Sequence, residues 1–121
     1  MSSVLWFHQN WVYVALAATG LVGIWGLVLA ALRRGPGRAF GIGAGIAISA
    51  ILIQVAAGTL LYVDGLRPLN GFHVFYGVII AVTLSLVYVY RAQFARHPAL
   101  AYGLLLLFVM GLGFRAWVNV S

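Results

Sequence analysis

Several residue types are missing from this chain, and their absence removes whole classes of function. There is no cysteine, no lysine and no glutamate, and Asp64 is the only acidic residue. Without cysteine the chain forms no disulfide, no thiolate metal site and no dithiol couple, which excludes the quinone-linked thiol oxidoreductases of the membrane. Without a membrane-embedded glutamate it also lacks the proton-exchanging group that small multidrug transporters of similar length require.

Charge of either sign is scarce. Charged residues make up 7% of the 121 residues, against about a quarter in soluble domains, while 64% are hydrophobic and the mean hydropathy is +1.09. Seven basic residues, all of them arginine, give a formal net charge of +6. Most of them lie in connections between apolar segments, which is typical of the cytoplasmic loops of membrane proteins. We therefore expect contact with membrane lipid and no binding of nucleic acid.

The hydrophobic residues form four long segments, at 4–32, 39–63, 72–90 and 99–118. Each provides the about 20 residues that a helix needs to cross the hydrocarbon layer, and helices satisfy their own backbone hydrogen bonds in lipid. The three connections are short and contain all three prolines. The sequence thus predicts an all-α integral membrane protein with a single four-helix domain over residues 1–121, in up-down-up-down order.

The arginines predict the orientation of these helices. Five lie in the first and third connections, namely Arg33, Arg34, Arg38, Arg91 and Arg96. Two lie at the opposite surface, namely Arg67 and Arg115. This bias places both termini outside, in a membrane that we expect to be the prokaryotic plasma membrane. The N-terminus lacks the basic region and cleavage site of a secretory signal, so the first helix is expected to be retained.

Small residues at helical spacing suggest close helix packing. Gly41, Gly45 and Ser49 recur every four residues on the second segment, and Gly43 with Ala47 does the same on the adjacent face. The first segment contains Gly20, Gly23 and Gly26. Small residues allow membrane helices to approach closely. These positions are consistent with simple packing, or with space for a flat macrocycle between helices.

Three histidines are the main candidates for chemistry. His97 precedes a proline in a basic connection, where a solvated loop residue is expected. His8 and His73 instead open the first and third apolar segments, which are usually diagonal in a four-helix bundle. At matched depth their imidazoles could bind one iron from opposite faces of a haem. Alternatively, each is an interfacial residue hydrated by lipid headgroups.

Three further polar positions and one glycine complete the candidate site. Gln54 and Gly58 lie four residues apart on one face of the second segment, where they either join helices or line a cofactor or quinone pocket. Arg67 and Arg115 lie at the outer surface, where long basic side chains commonly extend to the interface. Near a haem they would also suit its propionates, because guanidinium groups pair with carboxylates bidentately.

One family resemblance connects these residues. The run Gln54-Val-Ala-Ala-Gly58, the turn Leu66-Arg-Pro68 and then His73 resemble one four-helix half of haem A synthase. That family consists of two similar halves, each with paired histidines near the outer face, and His8 with His73 match the pair. The resemblance implies one haem b with His8 and His73 as axial ligands. Small four-helix b-type cytochromes share most of these features.

The chain departs from the synthase at two positions that matter for catalysis. The oxidising half of the synthase has a glutamate shortly before its first histidine, and an arginine after it. Here the sequence reads Leu5-Trp6-Phe7-His8 and continues with Gln9. No general acid or base for oxidising a haem methyl is therefore evident, and no catalytic residue is assigned.

The sequence therefore predicts a bis-histidine b-type haem protein for electron transfer or haem handling. Candidate partners are a redox protein or a quinone, and the chain could also assemble into a homo-oligomer or a larger membrane complex. The competing interpretation is a cofactor-free packing subunit of a respiratory or photosynthetic complex, in which the same residues serve only to pack helices.

Overall fold

The described part of the chain, residues 2–68 and 70–120 of a computed structural model, is helical and contains no strand. It comprises α1 (Ser2–Ala31), α2 (Gly37–Val63), α3 (Gly71–Val89), α4 (Arg91–Phe94) and α5 (Pro98–Val118). All of these except the short α4 are long and apolar enough to cross a membrane. The four predicted segments are therefore confirmed as helices, with bounds that differ by one or two residues. The first and last residues of the predicted domain lie outside the described part.

The third connection differs from the expected open loop because it contains α4. This single turn brings Phe94 against Tyr102 of α5, with ring centroids 5.2 Å apart, and Phe94 packs on the central apolar core. The apolar surface that Phe94 buries favours a compact helical turn over an extended loop.

Two helices end in the same backbone motif. After α2, Leu66 N–H donates to Leu61 O at 2.9 Å and Gly65 N–H to Tyr62 O at 3.1 Å, with Gly65 at φ +92°. This is a Schellman motif, which satisfies the last carbonyls of a helix and requires a left-handed residue. The end of α1 repeats it with Arg33 at φ 54°, a conformation that is unfavourable for any side chain with a Cβ.

The helices pack unevenly around the bundle. Helix α1 packs extensively with both α2 and α5, and α3 packs with α5. Between α2 and α3 the contacts are few, about as sparse as those between α2 and α5. Helices α1 and α3 share no backbone contact and therefore lie diagonally, as the sequence predicts.

The closest helix contact is between α1 and α5, and glycines make it possible. A Cβ on Gly103 would lie 3.0 Å from the carbonyl oxygen of Gly23 and 3.0 Å from the Leu27 nitrogen, and a Cβ on Gly26 would lie 2.6 Å from Ala99 O. We call this contact the glycine seam, and it extends toward the end of α5, where Gly113 faces Leu16. Dispersion between closely approaching backbones stabilises such contacts in lipid.

The small residues Gly41, Gly45 and Ser49 of α2 do not form the helix-packing face that their spacing predicts. Gly41, Gly45 and Ser49 are exposed, and a Cβ on either glycine would meet no atom within 4 Å. The stripe therefore does not pack within the described bundle, whereas Gly43 packs against Trp25 of α1.

Candidate functional site

His8 of α1 is bound to α2 by a reciprocal pair of hydrogen bonds. Its Nδ1 lies 3.1 Å from the backbone oxygen of Gln54, and the Gln54 side-chain amide donates to the backbone oxygen of His8 at 2.8 Å. Because a carbonyl oxygen only accepts, the hydrogen of the neutral imidazole is on Nδ1. These bonds fix the ring in both position and tautomer.

Gly58 makes the first of these bonds accessible. In an α-helix the residue four positions after a carbonyl lies directly above it, and Gly58 occupies that position relative to Gln54. A Cβ on Gly58 would lie 2.9 Å from His8 Cε1 and 3.5 Å from His8 Nε2. The missing Cβ therefore lets the imidazole reach a carbonyl in the interior of α2. The pairing of Gln54 with Gly58 has a structural reason, since both contact the same histidine.

His73 of α3 is bound to α5 in a similar way. Its Nδ1 lies 2.6 Å from the backbone oxygen of Ala116, which belongs to the last turn of α5. The last four carbonyls of a helix have no partner within the helix, so this imidazole also caps α5. Nearby, Asn70 caps the start of α3 by accepting from Phe72 N–H at 2.9 Å and donates to the Asn119 side chain at 3.2 Å.

The two imidazoles meet across the bundle. The ring centroids of His8 and His73 are 5.9 Å apart, and the ring planes are nearly perpendicular at 88°. We call these residues the histidine pair, and the end of the bundle where they lie the histidine end. All four long helices contribute to this point, because α2 and α5 supply the carbonyl acceptors.

His8 and His73 are held by the same kind of contact, one in each half of the chain. Each histidine opens a long helix, follows a phenylalanine and bonds a backbone carbonyl of the next long helix, 46 residues on for His8 and 43 for His73. We call α1 with α2 the first hairpin, and α3 to α5 the second hairpin. The sequence suggests this similarity only through its two Phe-His pairs.

The Nε2 atoms of His8 and His73 could supply two ligands to a metal whose other ligands come from a bound cofactor. With Nδ1 of each ring donating to a carbonyl, Nε2 keeps its lone pair, and within residues 2–68 and 70–120 neither Nε2 forms a hydrogen bond. Metal-binding histidines commonly direct their other nitrogen to a carbonyl in this way. Among the described residues no group of three or more metal-binding side chains occurs, so the pair offers two ligands.

The spacing of the rings is also compatible with a metal between them. Imidazole–metal bonds of about 2.0–2.1 Å bring two axial rings to a centroid separation of about 6 Å, and the observed separation is 5.9 Å. Gln54 Oε1 is buried and has no hydrogen-bond partner in the described part of the chain. A water could satisfy this acceptor, whereas a haem brings no donor for it, so it does not bear on the identity of a ligand. The fit to a group held by two imidazoles depends on the two free Nε2 atoms and on the ring separation.

In the described part of the chain, the remaining sequence candidates form no hydrogen bond with the histidine pair. The guanidinium of Arg67 stacks over the Tyr62 ring, 3.5 Å from its centroid, in the exposed connection after α2. Arg115 is exposed in the last turn of α5, one residue before Ala116. His97 is exposed before α5, at the far end of that helix from Ala116.

Three residues that the sequence reasoning did not select contribute to the site. Asn70 and Asn119 fasten the start of α3 to the end of α5, which positions His73. Trp11, one turn after His8, donates from its indole to Ala50 O at 2.8 Å and stacks on Phe7. The Asn-Gly at the start of the third segment was a detectable capping signal, whereas the partners of Asn119 and Trp11 depend on tertiary structure.

Comparisons of the chain with protein-family profiles, with curated protein sequences and with solved structures returned no significant match. The fold defines the class as an all-helical protein with four helices capable of spanning a membrane. Any statement about its function consequently depends on the histidine pair and its surroundings.

Proposed function

We propose that this protein is an integral membrane protein that binds one b-type haem through His8 and His73, for electron transfer or haem handling. The observation that supports this most directly is the histidine pair itself. Two imidazoles from diagonal helices lie with their ring centroids 5.9 Å apart, and each is oriented by a backbone carbonyl that leaves Nε2 available. Such second-shell bonds orient ligands and increase their basicity.

A haem explains the number of protein ligands better than a bare ion. A structural zinc site has four protein ligands and a catalytic one has three, but the described residues bring only two together. A haem iron needs only axial ligands from the protein, and when bound it supplies a centre that exchanges one electron. Gln54 and Gly58 would hold His8, while Asn70 and Asn119 would hold the helix ends around His73.

The proposal includes an orientation. The starts of α1 and α3 and the last turn of α5 lie at the histidine end, and most arginines belong to the connections at the other ends of these helices. An up-down-up-down bundle with both termini on the outer face of a prokaryotic plasma membrane accounts for both facts. Arg67 and Arg115 would then lie on the outer side, where we propose that they pair with the propionates.

Site-directed variants test the ligation. Purified protein reconstituted with hemin should show the low-spin spectrum of two axial imidazoles. His73→Ala should abolish this spectrum, and the exposed His97→Ala should leave it unchanged. His73→Ala also removes the cap of α5, so helicity must be measured for both variants by circular dichroism. A folded His73→Ala protein with an unaltered haem spectrum would contradict the assignment.

A cofactor-free packing subunit is the contrary outcome of the same experiment. In that case the imidazoles would serve only to join α1 with α2 and α3 with α5. The wild-type protein would then show only the spectrum of free hemin at any stoichiometry, and the His73→Ala variant would change stability alone.

A further inference from the structure

The packing of the bundle separates it into two halves that are joined along one side. Within residues 2–68 and 70–120, the side-chain hydrogen bonds that link long helices lie inside the first hairpin or inside the second, and none crosses between them. Close backbone contact between the hairpins is extensive only at the glycine seam. Buried side chains of all four long helices, among them Ile51 of α2 and Ile80 of α3, nevertheless belong to one apolar core. We call the sparsely packed side, between α2 and α3, the open edge.

A surface groove of about 340 Å³ lies where the first turns of α2 and α5 meet, and it is lined by residues such as Gly41, Gly45 and Tyr102 and by no residue of α3. It belongs to the arginine-rich end of the bundle, because Gly45 precedes Gly58 by 13 residues, or about 20 Å of helix. The groove shows that α3 leaves α2 uncovered at that end, and it does not extend to the histidine pair. The connection between α2 and α3 is short, comprising residues 64–70. It allows the two helices to separate, but only by a limited distance.

This arrangement places the two imidazoles on opposite halves. His8 belongs to the first hairpin and His73 to the second, and each is bonded to its own half. Rotation of the hairpins about the glycine seam would widen the open edge and separate the rings without breaking any of the hydrogen bonds that orient them. Hinge motion at a packed interface is a common way to admit ligands.

Building on the proposed function, we infer that the histidine pair is an exchangeable site loaded from the bilayer through the open edge. Haem, a planar and largely apolar macrocycle, would be cargo that the protein accepts and releases, and its binding would clamp the two hairpins together. A ligand that bridges both halves favours the closed state by its differential affinity for that state. An exchangeable haem favours a role in haem handling over a role in electron transfer by a permanently bound haem.

The cysteine-free chain allows a direct test with two matched double variants. Thr59→Cys with Phe75→Cys places one label on α2 and one on α3, at the level of the histidine pair, because Thr59 follows Gly58 and Phe75 lies two residues after His73. Both positions are exposed. The control, Val14→Cys with Phe114→Cys, spans the glycine seam at two exposed positions beside the contact of Leu16 with Gly113.

Spin-label distances would be measured in lipid nanodiscs without and with hemin. The open-edge pair should show a broad distribution without hemin that narrows and shortens when hemin binds, and the seam pair should be narrow in both states. A narrow open-edge distribution that hemin leaves unchanged would overturn the inference. Absence of hemin binding in the wild type would instead overturn the proposed function, and this inference with it.

The same variants test exchange. A flexible bismaleimide cross-link would be formed at the open edge after hemin has bound. Hemin transfer to apomyoglobin should then slow about tenfold or more, because the cross-link lowers the population of the open state from which hemin is released. The cross-link at the seam should leave the transfer rate unchanged. Equal rates for the two cross-linked proteins, with hemin bound in both, would show that haem leaves by another route and would refute only the lateral exchange.

Discussion

Gly58→Ala is the substitution that probes the site with the least change in chemistry. The new methyl would lie 2.9 Å from His8 Cε1, whereas carbon atoms in good contact are about 3.5–4.0 Å apart, so the ring must move by about 0.6 Å or more. Because the Gln54 oxygen is on the same helix as the methyl, the hydrogen bond from Nδ1 would lengthen from 3.1 Å to about 3.6 Å, which is too long to count as a hydrogen bond.

The energetic consequence can be worked out from these contacts. Overpacking costs about 1–3 kcal/mol and a lost hydrogen bond about 0.5–1.5 kcal/mol. The gain in helix propensity from glycine to alanine offsets about 0.5–1 kcal/mol. We therefore expect Gly58→Ala to lower the free energy of unfolding by about 0.5–4 kcal/mol. Hemin affinity should fall by about 10–100-fold, as expected for a second-shell change.

Gly41→Ala provides the matched control on the same helix. A Cβ there meets no atom within 4 Å, so only the propensity gain remains and stability should rise by about 0.5–1 kcal/mol. Thermal unfolding followed by circular dichroism in detergent, together with hemin titration, measures both effects. If Gly58→Ala proves as harmless as Gly41→Ala in both assays, the described contact between α2 and His8 is wrong.

Three other predictions follow from single positions. Gly103→Ala should lower the unfolding midpoint because its methyl would press on the backbone of α1, whereas Gly45→Ala, in open space, should not; equal midpoints would contradict the glycine seam. Arg33→Gly should raise the free energy of unfolding by about 1 kcal/mol, since Arg33 has φ 54°; denaturant unfolding that shows no gain would argue against this turn. Arg67→Gln and Arg115→Gln should each lower the haem midpoint potential, by at most about 40 mV for an exposed ion pair; unchanged midpoints and unchanged hemin affinity in redox titrations would leave these arginines as topology signals only.

The four long helices were predictable because they depend on a signal that is spread over many residues. Each segment has enough apolar residues that its bounds shifted by no more than two positions, and the prolines and glycines of the connections indicated the breaks. The turn α4 was missed because four residues carry no periodicity, and what holds Phe94 in place is a distant partner, Tyr102.

The proximity of His8, Gln54 and Gly58 was predictable from the sequence, but the bonds between them were not. The spacing of Gln54 and Gly58 indicated a shared face, and the structure places both against His8. That the backbone carbonyl of Gln54, rather than its side chain, would hold the imidazole was not predictable, because it depends on how α1 and α2 are aligned along their axes. The same holds for the carbonyl of Ala116.

The glycines show the limit of sequence periodicity most clearly. Spacing of four favoured two faces of α2, and only the face with Gly43 and Ala47 packs, while Gly41 and Gly45 are exposed. The glycines expected to pack on α1 include Gly23 and Gly26, but their partner, Gly103, was not predicted. Small residues permit close approach wherever they occur, and the pairing of helices decides which of them are used.

The central claim is that one haem binds between His8 and His73. A reduced-minus-oxidised visible difference spectrum of the purified, hemin-reconstituted protein, with haem quantified per chain, tests it most directly. We predict one low-spin b-type haem per chain in the wild type and none in the folded double variant His8→Ala with His73→Ala. A wild-type protein without a haem spectrum, or a double variant that keeps it, would contradict the account.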